Sequence, residues 1–199
     1  MSANATNHKV PAATSVVDDA VGMNKGHWFV AIVNHNSEKK VSEHLTKIGV
    51  VNYLPTQSEV RVWRNGRKSK FDRVVIPSTI FVYCTESRRR ELVGMPYIFR
   101  FMTNKAGAVK DSINKPLAII PDIEIERLKF MLGQSDIPVE ISKMPFKNGD
   151  KVRVIRGSLV GLEGEVVDTK NAKSDLIVAL SIFGCAKLSI DTINLEILK

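Results

Sequence analysis

Residues 149–167 read GDKVRVIRGSLVGLEGEVV, and this stretch constrains the fold more than any other in the chain. Val152 and Val154 alternate with Lys151 and Arg153, the period-2 pattern of a strand buried on one face. Gly157, Gly161 and Gly164 then punctuate the chain where a tight turn needs positive φ or close backbone approach, and a second apolar run follows Gly164 at once. Strands are expected at 151–155, 162–168, 176–180, 187–190 and 195–198. Five short strands with close turns fit a small closed barrel better than a flat sheet, because closure removes the unpaired edges.

The net charge of +8 is unevenly placed. Residues 1–26 hold two basic and two acidic residues, residues 133–199 hold nine of each, and residues 27–132 hold 18 basic against 10 acidic. The middle region therefore carries the whole excess and is steered toward phosphate backbones or acidic protein surfaces. The neutral C-terminal region is better suited to a protein partner. No apolar run is long enough to cross a bilayer. Residues 1–26 lack the pattern of a signal peptide and read as a tail without fixed structure. Cys84 and Cys185 lie far apart and read as reduced, buried thiols and not as a disulfide or zinc site, so a cytoplasmic compartment is expected; a monomer without membrane contact is expected as well. Walker A, nucleophile-elbow and zinc-helix patterns are missing and the four histidines are scattered, so nothing supports an enzyme, a metal site or a cofactor.

Along the basic region, residues 27–33 are apolar on both alternating faces, as in a covered central strand. Ser37 is placed to cap a helix with Val41, Leu45 and Ile48 on one face and Gly49 at its end. Lys40, His44 and Lys47 form a second stripe on that helix, either a nucleic-acid contact or a solvated flank. Asn65-Gly66 predicts a hairpin whose strands carry Arg61, Arg64, Arg67, Lys68, Lys70 and Arg73, with Trp63 at the tip. Such a ribbon either reaches nucleic acid or simply protects a sheet edge. Residues 76–84 read as another central strand. Ser87 is placed to cap a short helix with Arg88, Arg89 and Arg90 in its first turn, against the helix dipole. A last helix is expected from Pro121, with Ile125, Leu128 and Leu132 on one face and Gly133 beyond its end. Residues 134–145, with two prolines, read as a linker between domains 27–133 and 146–199.

The glycine-punctuated hairpin at 149–167 resembles a KOW motif. Together with Trp28-Phe29-Val30, Tyr53-Leu54-Pro55-Thr56 and Pro77-Ser78-Thr79-Ile80-Phe81-Val82, it makes residues 27–199 similar to the NusG/RfaH family of transcription elongation and antitermination factors. The run Tyr53-Leu54-Pro55-Thr56-Gln57 and the basic ribbon are most similar to the UpxY-type antiterminators of capsular polysaccharide operons. The resemblance implies an α+β fold: an N-terminal NGN domain, an antiparallel sheet flanked by helices, and a C-terminal SH3-like KOW barrel. It implies an RNA polymerase-binding patch at Phe29, Ile32, Thr79 and Phe81, although the core is the plainer place for Phe81. Arg88, Arg89 and Arg90 would face the opposite side of the polymerase cleft. Non-template DNA or nascent RNA would meet Lys40, His44 and Lys47, and the hairpin's Arg64, Arg67 and Lys68. Ile182 and Phe183 would hold a ribosomal protein or the termination factor Rho. The family commonly has an aromatic residue where this chain has Thr79, and general NusG has an arginine where it has Cys185. A housekeeping elongation factor and a ribosome-associated RNA-binding protein are the alternative functions.

Overall fold

The computed structural model of the protein describes residues 25–104, 116–142, 149–168 and 173–198. The tail expected over 1–26 lies outside these residues apart from Lys25 and Gly26. The N-terminal sheet is built on β1 (His27–Val33), which pairs antiparallel with β5 (Thr79–Cys84) on one side and with β6 (Ile98–Phe101) and β7 (Ile119–Ile120) on the other. β2 (Val51–Tyr53) extends it beyond β5. Covered on both faces, β1 is continuously apolar, and its alternation sorts the core into two layers. Phe29, Ala31 and Val33 face helix α1 (Glu38–Lys47) through Val41 and Leu45. Trp28 and Val30 face helix α3 (Asp122–Gln134) through Ile125, Leu128 and Met131.

Local chemistry explains several departures from the expected boundaries. Ser37 does stand at the N-cap of α1, but its hydroxyl donates to the Asn34 carbonyl at 2.6 Å. Gly49 ends that helix region at φ 73°. The strand expected from residue 76 begins only at Thr79, because Ser78 takes φ 58° and turns the chain. The buried carboxylate of Glu38 accepts the Ser78 amide at 2.7 Å and holds that turn. Helix α2 (Glu86–Val93) is capped by Thr85, not Ser87. Helix α3 runs through Gly133 to Gln134 and so passes the glycine expected beyond its end.

β3 (Thr56–Val62) and β4 (Lys68–Val74) form a separate two-stranded ribbon. Its tip is not the two-residue turn that Asn65-Gly66 favours. The Trp63 amide donates to Arg67 O at 2.8 Å and the Gly66 amide to Trp63 O at 2.8 Å, with Gly66 at φ 77°. That is a three-residue loop with glycine in the left-handed region.

The C-terminal strands are β8 (Glu140–Ser142), β9 (Asp150–Val154), β10 (Glu163–Asp168), β11 (Lys173–Leu180), β12 (Gly184–Asp191) and β13 (Leu195–Ile197). They form a six-stranded antiparallel sheet in the order β13-β9-β10-β11-β12-β8. β8 comes from the segment read as a linker and pairs with β12 at Lys187, Ala186 and Cys185. Of that segment, Gln134 ends α3 and residues 143–145 lie outside the described residues, as does the start of the expected barrel, 146–148. Gly164 lies where an added Cβ would meet Ile177 O at 2.5 Å, so close strand approach requires glycine there.

Candidate functional site

The alternation of β1 and β5 divides the patch expected to meet polymerase. Ile32 and Thr79 are register partners, and with Phe81 they lie on the α3 side of the sheet. Phe29 lies on the opposite side, buried against Phe101 edge-to-face at 6.2 Å. The patch is instead completed by Tyr53, stacked on Phe81 at 6.1 Å, and by Met102 beside Ile32. Burial pushes the Tyr53 hydroxyl well above the ordinary tyrosine range. The Thr79 hydroxyl donates to Pro77 O at 3.1 Å, so this polar group brings no free donor to the face.

Ile182 and Phe183, in the turn between β11 and β12, come to this same face. The Phe183 ring meets Phe81 edge-on at 5.7 Å, the favoured geometry for an aromatic pair. A cavity of about 730 Å³ remains between the two regions, lined by Ile32, Thr79, Met102, Ile141, Ile182 and Phe183 among others. Polar contacts flank the apolar one. Glu124 on α3 accepts the Ser181 amide at 2.9 Å and its hydroxyl at 3.1 Å, and Arg127 reaches Glu163 at 3.3 Å. The surfaces expected to hold two different partners thus cover each other.

Lys40, His44 and Lys47 stand exposed on α1, and none makes an ion pair among the described residues. The His44 ring meets Tyr97 at 4.7 Å and 64°. Together with Asn34, Ser37, Lys40 and Pro96 these two rings line a shallow hollow of about 370 Å³, which Lys47 does not reach. Sequence reasoning misses Pro96 and Tyr97, which lie some fifty residues away from α1 and become neighbours only through the sheet.

The three arginines of α2 are committed within their own helix. Arg89 forks onto Glu86 at 2.7 and 2.8 Å and lies over Phe101 at 5.5 Å, with its side chain only 13% exposed. Arg90 reaches Glu86 at 3.1 Å, and Arg88 pairs with Glu91. Glu86 in the first turn offsets the unfavourable dipole that three arginines alone would meet. Hydrogen bonding from Arg89 holds the Glu86 carboxyl below the usual carboxylate range. Arg90, 69% exposed, is the most open of the three, with Arg88 at 40%. Arg64, Arg67 and Lys68 are all on the surface of the ribbon.

Both thiols are buried. Burial pushes Cys84 up to about 11 and raises Cys185 as well, so neither is poised as a nucleophile. Among the described residues no cluster of His, Cys, Asp or Glu could hold a metal, and no helix is long and apolar enough to cross a membrane.

The N-terminal sheet thus has an apolar face closed by a second, smaller all-β region and bears exposed cations elsewhere. The family model described as "Transcription termination factor nusG" matches residues 26–129. The transcription termination/antitermination protein NusG of Streptococcus pyogenes serotype M3 is 28% identical over 168 residues, which cover 79% of this chain and 87% of that protein. The NusG protein of serotype M1 matches equally. A solved structure described as "Domain interaction in Thermotoga maritima NusG" is similar with a TM-score of 0.48 and 18% identity, covering 88% of this chain and 98% of that one. The chain belongs to the NusG family. It is a NusG-type transcription termination/antitermination factor and not an enzyme.

Proposed function

We propose that this chain is an operon-specific antitermination and elongation factor of the UpxY type, acting in a polysaccharide biosynthesis operon in the cytoplasm. Its N-terminal NGN domain, residues 27–133, binds RNA polymerase through Ile32, Thr79, Phe81 and Tyr53 and suppresses pausing and termination. Lys40, His44 and Lys47 hold the displaced non-template strand or nascent RNA, and Arg90 meets the polymerase on the far side. The C-terminal region, read as a KOW domain, offers Ile182 and Phe183 to a ribosomal protein once it leaves the N-terminal face.

The observation that carries this reading is the cover itself. An apolar face occupied by an apolar turn of the same chain, with an aromatic pair at its centre and polar contacts at its rim, is a face that another protein can take over. Polymerase therefore competes with Phe183 for Phe81. The neutral charge of residues 133–199 agrees with a protein partner for that region. A general NusG role is the second reading, favoured by relatives matched over 87% of their length.

Nascent-transcript profiling of a deletion strain, with polymerase pull-down of the tagged full chain, separates these. Loss of read-through confined to one long operon is expected. A shift in pausing across most genes would favour the general factor, and absence of polymerase from the pull-down would refute both.

A further inference from the structure

The β3–β4 ribbon has two chemically different faces, and the register separates them. Glu59, Arg61 and Trp63 lie opposite Phe71, Ser69 and Arg67 on one face, while Val60 and Val62 lie opposite Lys70 and Lys68 on the other. On the first face the Arg61 guanidinium lies over Trp63 at 5.5 Å and over Phe71 at 5.9 Å. Trp63 remains 51% exposed and Phe71 39% exposed, so three planar groups in a row keep open π surface among the described residues.

The charge around these rings is equally unmatched. Arg61, Arg64, Arg67, Lys68 and Lys70 make no ion pair among the described residues. The two acidic residues of the ribbon are occupied at its root: Glu59 pairs with Arg73, and Asp72 accepts the Ser58 hydroxyl at 2.8 Å. The tip therefore joins open aromatic faces to uncompensated positive charge.

From this juxtaposition we infer that the ribbon is a stacking platform for single-stranded nucleic acid, with unpaired bases on Trp63 and Phe71 and phosphates on Arg64, Arg67 and Lys68. Stacking on exposed rings tolerates any base, and cations alongside follow the backbone. Duplex DNA hides its base faces and would use only the cations. This inference rests on the nucleic-acid reading of the N-terminal region, but it requires no polymerase.

The test uses the full chain and a labelled oligothymidylate, without polymerase. Trp28 is buried, so quenching of the exposed tryptophan emission reports on Trp63. The oligomer should quench it, and an abasic oligomer of equal length should not. Trp63→Ala should weaken binding about 5- to 100-fold with an unchanged salt slope, Trp63→Phe should restore most of the affinity, and circular dichroism should show both folded. Equal binding by Trp63→Ala, equal binding of the abasic oligomer, or tighter binding of polyglutamate would overturn the inference. The polymerase pull-down of the same Trp63→Ala variant keeps the two readings apart: retained polymerase with unchanged oligomer affinity sinks the platform alone.

Discussion

Phe183→Ala tests the competition between the two halves of the molecule directly. The ring is 9% exposed and its principal aromatic partner is Phe81. Burying a phenylalanine side chain contributes about 1.5–3 kcal/mol, and an edge-on aromatic pair adds about 0.5–1.5 kcal/mol. Truncation therefore weakens the closed arrangement by about 2–4 kcal/mol, which moves the open-to-closed ratio by roughly 30- to 700-fold. Apparent affinity for a partner that needs the open form scales with the open fraction, so polymerase affinity rises until that fraction saturates. The assay is a titration of full-length chain into stalled elongation complexes, scored by pause escape, with small-angle scattering on the free protein. The variant should act at a lower concentration and scatter as a more extended particle. If scattering shows opening while the half-maximal concentration stays put, polymerase does not use the face that Phe183 covers. If neither changes, the aromatic contact contributes far less than its burial implies.

Two further outcomes follow from the charged surfaces. Replacing Lys40 and Lys47 together by alanine should reduce the slope of log affinity against log salt on a single strand by about 0.7 for each lost phosphate contact; an unchanged slope would leave the stripe a solvated flank. Arg89→Ala should lower the stability of the N-terminal region by about 1–2 kcal/mol, from a partly screened fork to Glu86 and a cation–π contact, whereas Arg90→Ala should stay within about 0.5 kcal/mol. Because the folded Glu86 carboxyl lies below its ordinary value, that gain is present above the ordinary carboxylate pKa and fades as pH falls through the folded one. Denaturant melts of Arg89→Ala and wild type should therefore converge in acid, and a gap that widens there would reject the ion-pair assignment.

Period and turn chemistry make most elements legible in the sequence itself. The apolar run at 27–33, the i, i+4 spacing of Val41 and Leu45, and the valine alternation around 152–154 each mark an element that the fold contains. Which face a residue occupies is harder. Phe29 and Phe81 look alike in sequence, yet β1 and β5 send them to opposite sides of the sheet. Neither strand carries its register alone, and only their pairing sets Phe29 against Val82. The arginines of α2 depend on a boundary. A helix started after Ser87 leaves them alone against the dipole, whereas the cap at Thr85 brings Glu86 into the first turn. Glu86 and Glu91 then neutralise them at i, i+3 and i, i+4. Contacts such as Phe81 with Phe183 or His44 with Tyr97 depend on how elements meet, and no local pattern encodes them.

The segment between the two regions is fastened to both, and any opening of the two halves has to accommodate that. Gln57, buried at the root of the ribbon, donates to Ser135 O at 3.1 Å and Ile137 O at 2.8 Å and accepts the Val139 amide at 2.9 Å. Arg73 adds a bond to Val139 O at 3.3 Å. Residues 135–139 are thus fastened to the N-terminal half, while the next three residues, β8, pair with β12 of the C-terminal half. No residue separates the two attachments, so moving the C-terminal sheet bodily away from the N-terminal half strains one or the other. Releasing residues 135–139 strips the buried Gln57 amide of these three partners and leaves its polar atoms without bonds until water enters, which costs about 1–3 kcal/mol for each unsatisfied group. Releasing β8 gives up the three-residue ladder with β12, uncovers the buried Cys185 and Ala186, and loses the Glu140–Lys187 ion pair at 3.5 Å, which is partly exposed and contributes little. If β8 is the attachment that breaks, opening leaves it with the N-terminal half, exposes the edge of β12 at Cys185, Ala186 and Lys187, and uncovers Phe81 and that edge in the same step.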